Sequence, residues 1–217
     1  MENVKSSKHG EMSPKLLFEI KLHGFLLWAS VGFLMPFAVL VKRMSNREAS
    51  GSRLRVIFYV HAIAQVLSVL LATAGAVMSI KFFDNSFNNV HQRIGLAFYI
   101  IMWLQALLGI FRPRRGSKCR SIWFLFHWLV GICVSLLGII NIYTGLQAYK
   151  RRMSKDTRIW NIIFTAEVSI ILFLYLIQEK WEYIWKQGTI LGNKPVRLTE
   201  REMSLTCQQK EASPEPC

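Results

Sequence analysis

The chain has 217 residues, 52% of them hydrophobic, and carries 27 Lys and Arg against 13 Asp and Glu, a formal net charge of +14. A soluble domain of that charge would read as a nucleic-acid binder, but the charges lie outside five long apolar runs, which excludes that class. The four cysteines form no CxxC and Cys133 lies inside an apolar run, which excludes a disulfide framework or a zinc knuckle.

Residues 1–15 read as a polar N-terminal tail with no cleavable signal peptide. The apolar runs then follow in order: Leu22–Val41, Val56–Ile80, Ile94–Phe111, Ser121–Tyr149 and Ile159–Gln178. The first four contain no charged residue and the fifth only Glu167. Each is about 18 residues or longer, enough to cross a hydrocarbon core of ~30 Å as a helix. They are apolar on every face, as lipid-embedded helices are, and they lack the alternation of barrel strands. The pattern predicts an all-α membrane protein with five transmembrane helices over residues 16–185, the first four forming an antiparallel bundle. Residues 186–217 are mixed polar and charged and are expected to be disordered.

Five antiparallel crossings sort the connections onto two sides. Side A holds the N-terminus and the 81–93 and 149–158 loops; side B holds the 42–55 and 112–120 loops and the C-terminal tail. Side B carries Lys42, Arg43, Arg47, Arg53, Arg55, Arg112, Arg114, Arg115, Lys118 and Arg120. Side A carries Lys81, Arg93, Lys150, Arg151, Arg152, Lys155 and Arg158. Ten basic residues against seven place side B in the cytosol, with the N-terminus out and the C-terminus in.

Four of the five histidines open apolar runs: "KLHGFLLW" at His23, "YVHAIAQVLS" at His61, "NNVHQRIG" at His91 and "FLFHWLVG" at His127. Helix direction puts His23 and His91 near side A and His61 and His127 near side B, each pair on alternate helices that can lie diagonally across a bundle. A lone histidine near a membrane interface is commonly a polar anchor. Four that pair by level are stronger candidates for function, because ionisable groups at membrane depth are costly. Two imidazoles are too few for zinc, which takes three or four protein ligands, yet they complete a haem, whose two axial positions remain after the porphyrin nitrogens. Gly95 and Gly131, each four residues past a histidine on the same helical face, offer surface to a flat macrocycle, with Phe25, Trp28, Phe98, Trp103 and Trp128 as apolar walls. Small residues also simply let membrane helices pack closely.

These stretches resemble the cytochrome b561 family, in the form of plant cytochrome b561 domain-containing proteins. The likeness covers roughly residues 16–185 and rests on "LHGFLLW", "YVHAIAQ", "VHQRIG" and "FHWLVGI". It implies two haem b groups per chain, with His23 and His91 as axial ligands of one iron and His61 and His127 of the other. It also implies an oxidoreductase that moves electrons across a plasma membrane or endomembrane, from a cytosolic donor such as ascorbate to monodehydroascorbate or a ferric chelate. Departures from the family pattern are specific. Its "SLHSW" reads "NVHQR" around His91, its "ALLVYR" reads "AVLVKR" at 38–43, and neither an extra leading helix nor an attached DOMON domain is expected.

An anionic donor needs a cationic dock beside the His61 level, and Lys42, Arg43, Arg53 and Arg55 are the first candidates, with Arg112, Arg114 and Arg115 second. Such residues also set topology and meet lipid phosphates in most membrane proteins. Lys81 and Arg93 are candidates for an acceptor on side A. Glu167 reads as structural, bonded in protonated form to a polar neighbour such as Asn141 or Gln105. Expected partners are membrane lipid, the small-molecule donor and acceptor, and a second copy of the chain in a homodimer; nucleic acid is not among them. The alternatives are a metal-ion transporter staged on histidine pairs and a non-catalytic membrane scaffold. A transporter would carry carboxylates and broken helices at mid-depth.

Overall fold

The computed structural model describes residues 13–45, 48, 50–83, 86–114 and 116–211. Among them there is no strand, and five helices follow in order: α1 (Pro14–Met44), α2 (Gly51–Phe82), α3 (Val90–Ile110), α4 (Cys119–Met153) and α5 (Arg158–Glu211). All of α1 to α4, and Arg158–Trp181 of α5, are long and apolar enough to cross a membrane. The protein is therefore an all-helical, multi-pass membrane protein. Its spans turn large apolar side chains outward, Ile80, Ile110 and Trp160 among them, as a hydrocarbon solvent permits.

Local chemistry sets the helix ends. Pro14 sits in the first turn of α1, where its missing N–H leaves no bond unmade. The Asn89 side chain accepts from the His91 N–H at 3.1 Å and caps α3. The Asp156 carboxylate accepts from the Arg158 N–H at 2.9 Å and caps α5. Lys150, Arg151 and Arg152 occupy the last turn of α4, where cations oppose the negative end of the helix dipole, and Ser154 ends it in the left-handed region at φ 52°.

Helix α1 is not uniform. Trp28–Leu34 is a π-helical segment in which the Met35 N–H reaches back five residues to the Ser30 carbonyl, just before Pro36. Proline cannot donate to the preceding turn, so the helical bond ladder is already broken there. The wider turn takes up one extra residue between the two ends of α1.

α1 packs on α2, α2 on α3, α3 on α4 and α4 on α1, which leaves α1 diagonal to α3 and α2 diagonal to α4. The centre of this bundle is a mid-depth layer. Ser30, Ser68, Phe98 and Val134 each lie seven residues past the histidine of their own helix, and all four are buried. Val31, Met35, Ala72 and Met102 complete the layer. The two serines satisfy each other: Ser30 Oγ lies 2.7 Å from the Ser68 carbonyl and 2.8 Å from Ser68 Oγ, and Ser68 Oγ donates to the Ser30 carbonyl at 3.1 Å. No hydroxyl there is left facing hydrocarbon alone.

Residue packing divides the chain into two units, 1–171 and 172–217. In the first, the start of α5 packs through buried Phe164, whose ring meets Tyr143 at 5.1 Å, and through a 2.7 Å Tyr143–Thr165 hydroxyl bond. Glu167 accepts from the Trp28 indole at 2.8 Å. Its partner is thus on α1, not Asn141 or Gln105. In the second unit the backbone is helical through Glu211, across residues 186–211 where polar composition predicts disorder; 212–217 lie outside the described residues.

Gly138 marks where the bundle is tightest, since a Cβ there would collide with Val31 Cγ1 and press on Phe98. Gly138→Val should cost about 1–3 kcal/mol by overpacking, read as a lowered thermal unfolding midpoint in detergent. Gly24→Ala, where a Cβ meets nothing within 4 Å, should leave the midpoint unchanged.

Candidate cofactor sites

Three of the four histidines meet their neighbours by one repeated rule. His23 Nδ1 donates to the Gly75 carbonyl at 2.9 Å, and Gly75 lies 14 residues past His61. His61 Nδ1 donates to the Ala38 carbonyl at 2.9 Å, 15 residues past His23, the extra residue being the one held in the π segment. His91 Nδ1 donates to the Asn141 carbonyl at 3.1 Å, 14 residues past His127. Each bond ties a helix to its antiparallel neighbour. At 1.5 Å per residue, 14 residues set the two histidine levels about 21 Å apart.

A carbonyl can only accept, so Nδ1 carries the proton and Nε2 keeps its lone pair. This is the arrangement of a metal-binding imidazole, whose second nitrogen is oriented by a main-chain oxygen. Near side A the His23 and His91 rings stand 6.3 Å apart, centre to centre, at 85°. Two metal–nitrogen bonds of about 2 Å, with each ring centre roughly 1 Å beyond its nitrogen, span about that distance. The pair fits an iron held between two axial imidazoles. Among the described residues no three His, Cys, Asp or Glu side chains gather as a metal site, so the histidines stand as pairs.

Near side B, His61 lies within electrostatic reach of His127. His127 departs from the rule. Among the described residues its Nδ1 has no hydrogen-bond partner, Trp123 stacks on its ring at 5.2 Å and 10°, and the Gln105 amide donates to its carbonyl at 2.9 Å. Gln105 lies 14 residues past His91, the place of Asn141 on the other helix.

The glycines serve these contacts more than an open face. A Cβ on Gly131 would stand 3.0 Å from the Gln105 amide nitrogen, and one on Gly95 3.4 Å from the Asn141 amide oxygen. Each of these two glycines lies against an amide of the neighbouring helix. Of the expected aromatic walls only Phe98 is buried; Phe25, Trp28, Trp103 and Trp128 are exposed. Gln105 and Asn141, expected beside Glu167, stand instead beside histidines of the neighbouring helix, and the shared spacing of His, Gly at +4 and an amide at +14 on α3 and α4 is visible in the sequence.

The basic residues separate into two groups. Arg53 is paired with Glu48 at 3.4 Å, and Arg55 is exposed. Arg43 is half-buried, while Arg47 and Arg115 lie outside the described residues. Lys42 donates to Ser45 Oγ at 3.0 Å and lies near enough to Arg112 and to Arg120 of α4 to feel the repulsion of their charges. The Arg112 guanidinium sits 5.2 Å from the Phe58 ring centre and 5.9 Å from that of Trp123, the indole stacked on His127. On side A, at the start of α3, a cavity of about 410 Å³ is lined by Ser86, Asn88, Asn89, Val90, Gln92, Arg151 and Arg152. The Arg93 Nε–H donates to the Phe87 carbonyl at 2.8 Å.

Four membrane-spanning helices, each carrying one histidine, form a bundle with two histidines at either level, in a protein with five spans. The sequence profile of eukaryotic cytochrome b561 matches residues 22–151. A cytochrome b561 domain-containing protein of Arabidopsis thaliana is 44% identical over 210 residues, covering 94% of this chain and 82% of that one. Two cytochrome b561 and DOMON domain-containing proteins of the same plant are 24% and 29% identical, over 79% and 92% of this chain. The chain spans only 43% and 48% of their length. No solved structure matches. The chain belongs to the cytochrome b561 family, whose members are transmembrane electron-transfer haem proteins.

A Cβ at Gly145 would stand 3.0 Å from Cε1 of His91. Gly145→Val should therefore tilt that ring off the Asn141 carbonyl and weaken haem retention about 10- to 100-fold, the usual range for a disturbed supporting contact. Gly109→Ala, whose Cβ would lie an ordinary 3.8 Å from His127, should leave haem content per chain unchanged.

Proposed function

We propose that the protein carries electrons across its membrane through two b-type haems, one ligated by His23 and His91 and the other by His61 and His127. The observation that carries this reading is the repeated Nδ1-to-carbonyl bond, which presents Nε2 of three histidines for coordination at two levels. His23 with His91, and His61 with His127, would hold the haems, which would supply one-electron exchange. The chain's own part is to fix the imidazoles, exclude water with the mid-depth layer, and dock the partners. Mid-depth acid is confined to Glu167, tied to Trp28, so nothing in the bundle resembles the carboxylate relay of an ion transporter.

On this reading side B faces the cytosol, with the N-terminus out. The donor is an anion such as ascorbate, drawn to Lys42, Arg112 and Arg120; Arg43, Arg53 and Arg55 add to the field further out. The acceptor, monodehydroascorbate or a ferric chelate, docks on side A, where Arg151 and Arg152 line the cavity at the start of α3.

Alanine at His23 or at His91 should remove one and the same haem, and alanine at His61 or at His127 the other, read as haem per chain and as which spectral component disappears. Loss of a shared component from His23→Ala and His61→Ala would refute the pairing.

A charge pair at contact is worth about 1 kcal/mol in bulk water and ~4 kcal/mol at an effective dielectric of 20. Neutralising Lys42, Arg112 and Arg120 together should thus slow ascorbate reduction of the oxidised protein at least about tenfold and flatten its dependence on ionic strength. Stopped-flow absorbance at two salt concentrations measures both, with haem content as the control.

A further inference from the structure

The first turns of α5 meet the rest of the bundle through Phe164 against Tyr143, the Tyr143–Thr165 hydroxyl bond and the Trp28–Glu167 bond. Antiparallel helices in contact at Tyr143 and Thr165 keep that register toward side A. One turn on, Gln147 stands level with Asn161, and a further turn brings Lys150 level with Arg158. These four residues line a cavity of about 690 Å³ whose wall continues down one face of α5 from Arg158 to Ser169. That stretch of helix rises about 16 Å, the depth of one leaflet of a ~30 Å hydrocarbon core. The cavity changes character with depth. At its mouth Lys150 and Arg158 are exposed and, among the described residues, form no ion pair; the side-chain amides of Gln147 and Asn161 make no hydrogen bond there. The Asp156 carboxylate is engaged by the Arg158 N–H. Further in, the hydroxyls are taken up by the protein: Thr165 donates to the Asn161 carbonyl at 2.7 Å and Ser169 to the Thr165 carbonyl at 2.8 Å. Beside them Ile162 and Ala166 give the deeper wall an apolar surface.

We infer that this cavity binds one membrane phospholipid of the side-A leaflet, with its phosphate at Lys150 and Arg158, its ester oxygens at Gln147 and Asn161, and an acyl chain along Ile162 and Ala166. Two cations and two amide donors at headgroup level match the negative phosphodiester and the acceptor oxygens that every glycerophospholipid carries there. A sterol or a quinone is neutral and would leave both cations unmatched. A second copy of the chain would bring mostly like charge, because the side-A connections carry seven basic residues against Asp84 and Asp156. A lipid held in this way fills the space between α4 and α5 and fastens the start of the last span to the bundle. The site lies apart from the histidine pairs, so the inference stands or falls independently of how many haems the bundle carries.

The test uses the full chain purified in mild detergent, with bound lipid counted by native mass spectrometry and thermal unfolding followed in parallel. The wild-type protein should retain one phospholipid per chain. After delipidation it should regain that lipid on addition of phosphatidylcholine, with a higher unfolding midpoint, as a ligand of the folded state requires. Inorganic phosphate at the same concentration should do neither, which separates a lipid headgroup from a free anion. Lys150→Ala combined with Arg158→Ala should lower retention at least about tenfold, because two charges at contact are lost. Ala166→Phe, which fills the deeper part, should lower retention with every charge in place. Lys21→Ala combined with Lys155→Ala removes the same charge from side A outside the cavity and should retain lipid as the wild type does. If the double alanine variant of the cavity does not assemble, Lys150→Gln and Ala166→Phe test its two ends separately. Retention unchanged in the cavity variants, equal loss in the Lys21 and Lys155 control, a retained sterol or quinone, a midpoint raised by phosphate alone, or a lipid-free dimer would each overturn the inference.

Discussion

An imidazole sunk into a membrane gains by giving its Nδ1–H to an acceptor, because hydrocarbon offers none and an unmatched polar group there is costly. For His23, His61 and His91 the acceptor is a carbonyl on the antiparallel neighbour, 14 or 15 residues beyond that neighbour's own histidine. That bond fixes the tautomer, leaves Nε2 open, and locks the register of α1 against α2 and of α3 against α4. Helix rise then sets the two levels about 21 Å apart without further instruction.

The rest of the interior follows from this register. Halfway between the levels, seven residues from each histidine, the four helices bring Ser30, Ser68, Phe98 and Val134 to a common dry layer. The π segment of α1 reconciles that layer with the 15-residue interval to Ala38: a wider turn absorbs one residue, so both ends of α1 still meet α2 in phase. Ser30 sits inside the segment, and its carbonyl takes both the Met35 N–H and the Ser68 hydroxyl. The irregular turn is thus paired on all sides.

Much of this was legible in the sequence because lipid simplifies the reading. Uncharged runs of spanning length give the helices, and alternating direction alone sorts His23 with His91 and His61 with His127 by level. The supporting contacts were less legible. Which carbonyl meets which ring depends on helix pairing, and Gln105 and Asn141 gain meaning only once α3 is known to lie against α4. Gly95 and Gly131, each four residues past a histidine, also lie against those amides. The cationic group on side B joins Lys42 to Arg112 and Arg120 across two loops, whereas nearness along the chain favoured Arg53, which Glu48 holds. The π segment left only Pro36 as a trace.

The central claim is that two histidine pairs hold two six-coordinate irons in one chain. It is tested most directly by the haem-to-protein ratio of the purified full-length protein, taken together with absorption spectra before and after dithionite and after addition of carbon monoxide. The account expects two haems per chain, low-spin in both oxidation states, with a reduced spectrum that carbon monoxide does not alter. A single haem per chain, or a reduced iron that binds carbon monoxide, would contradict it.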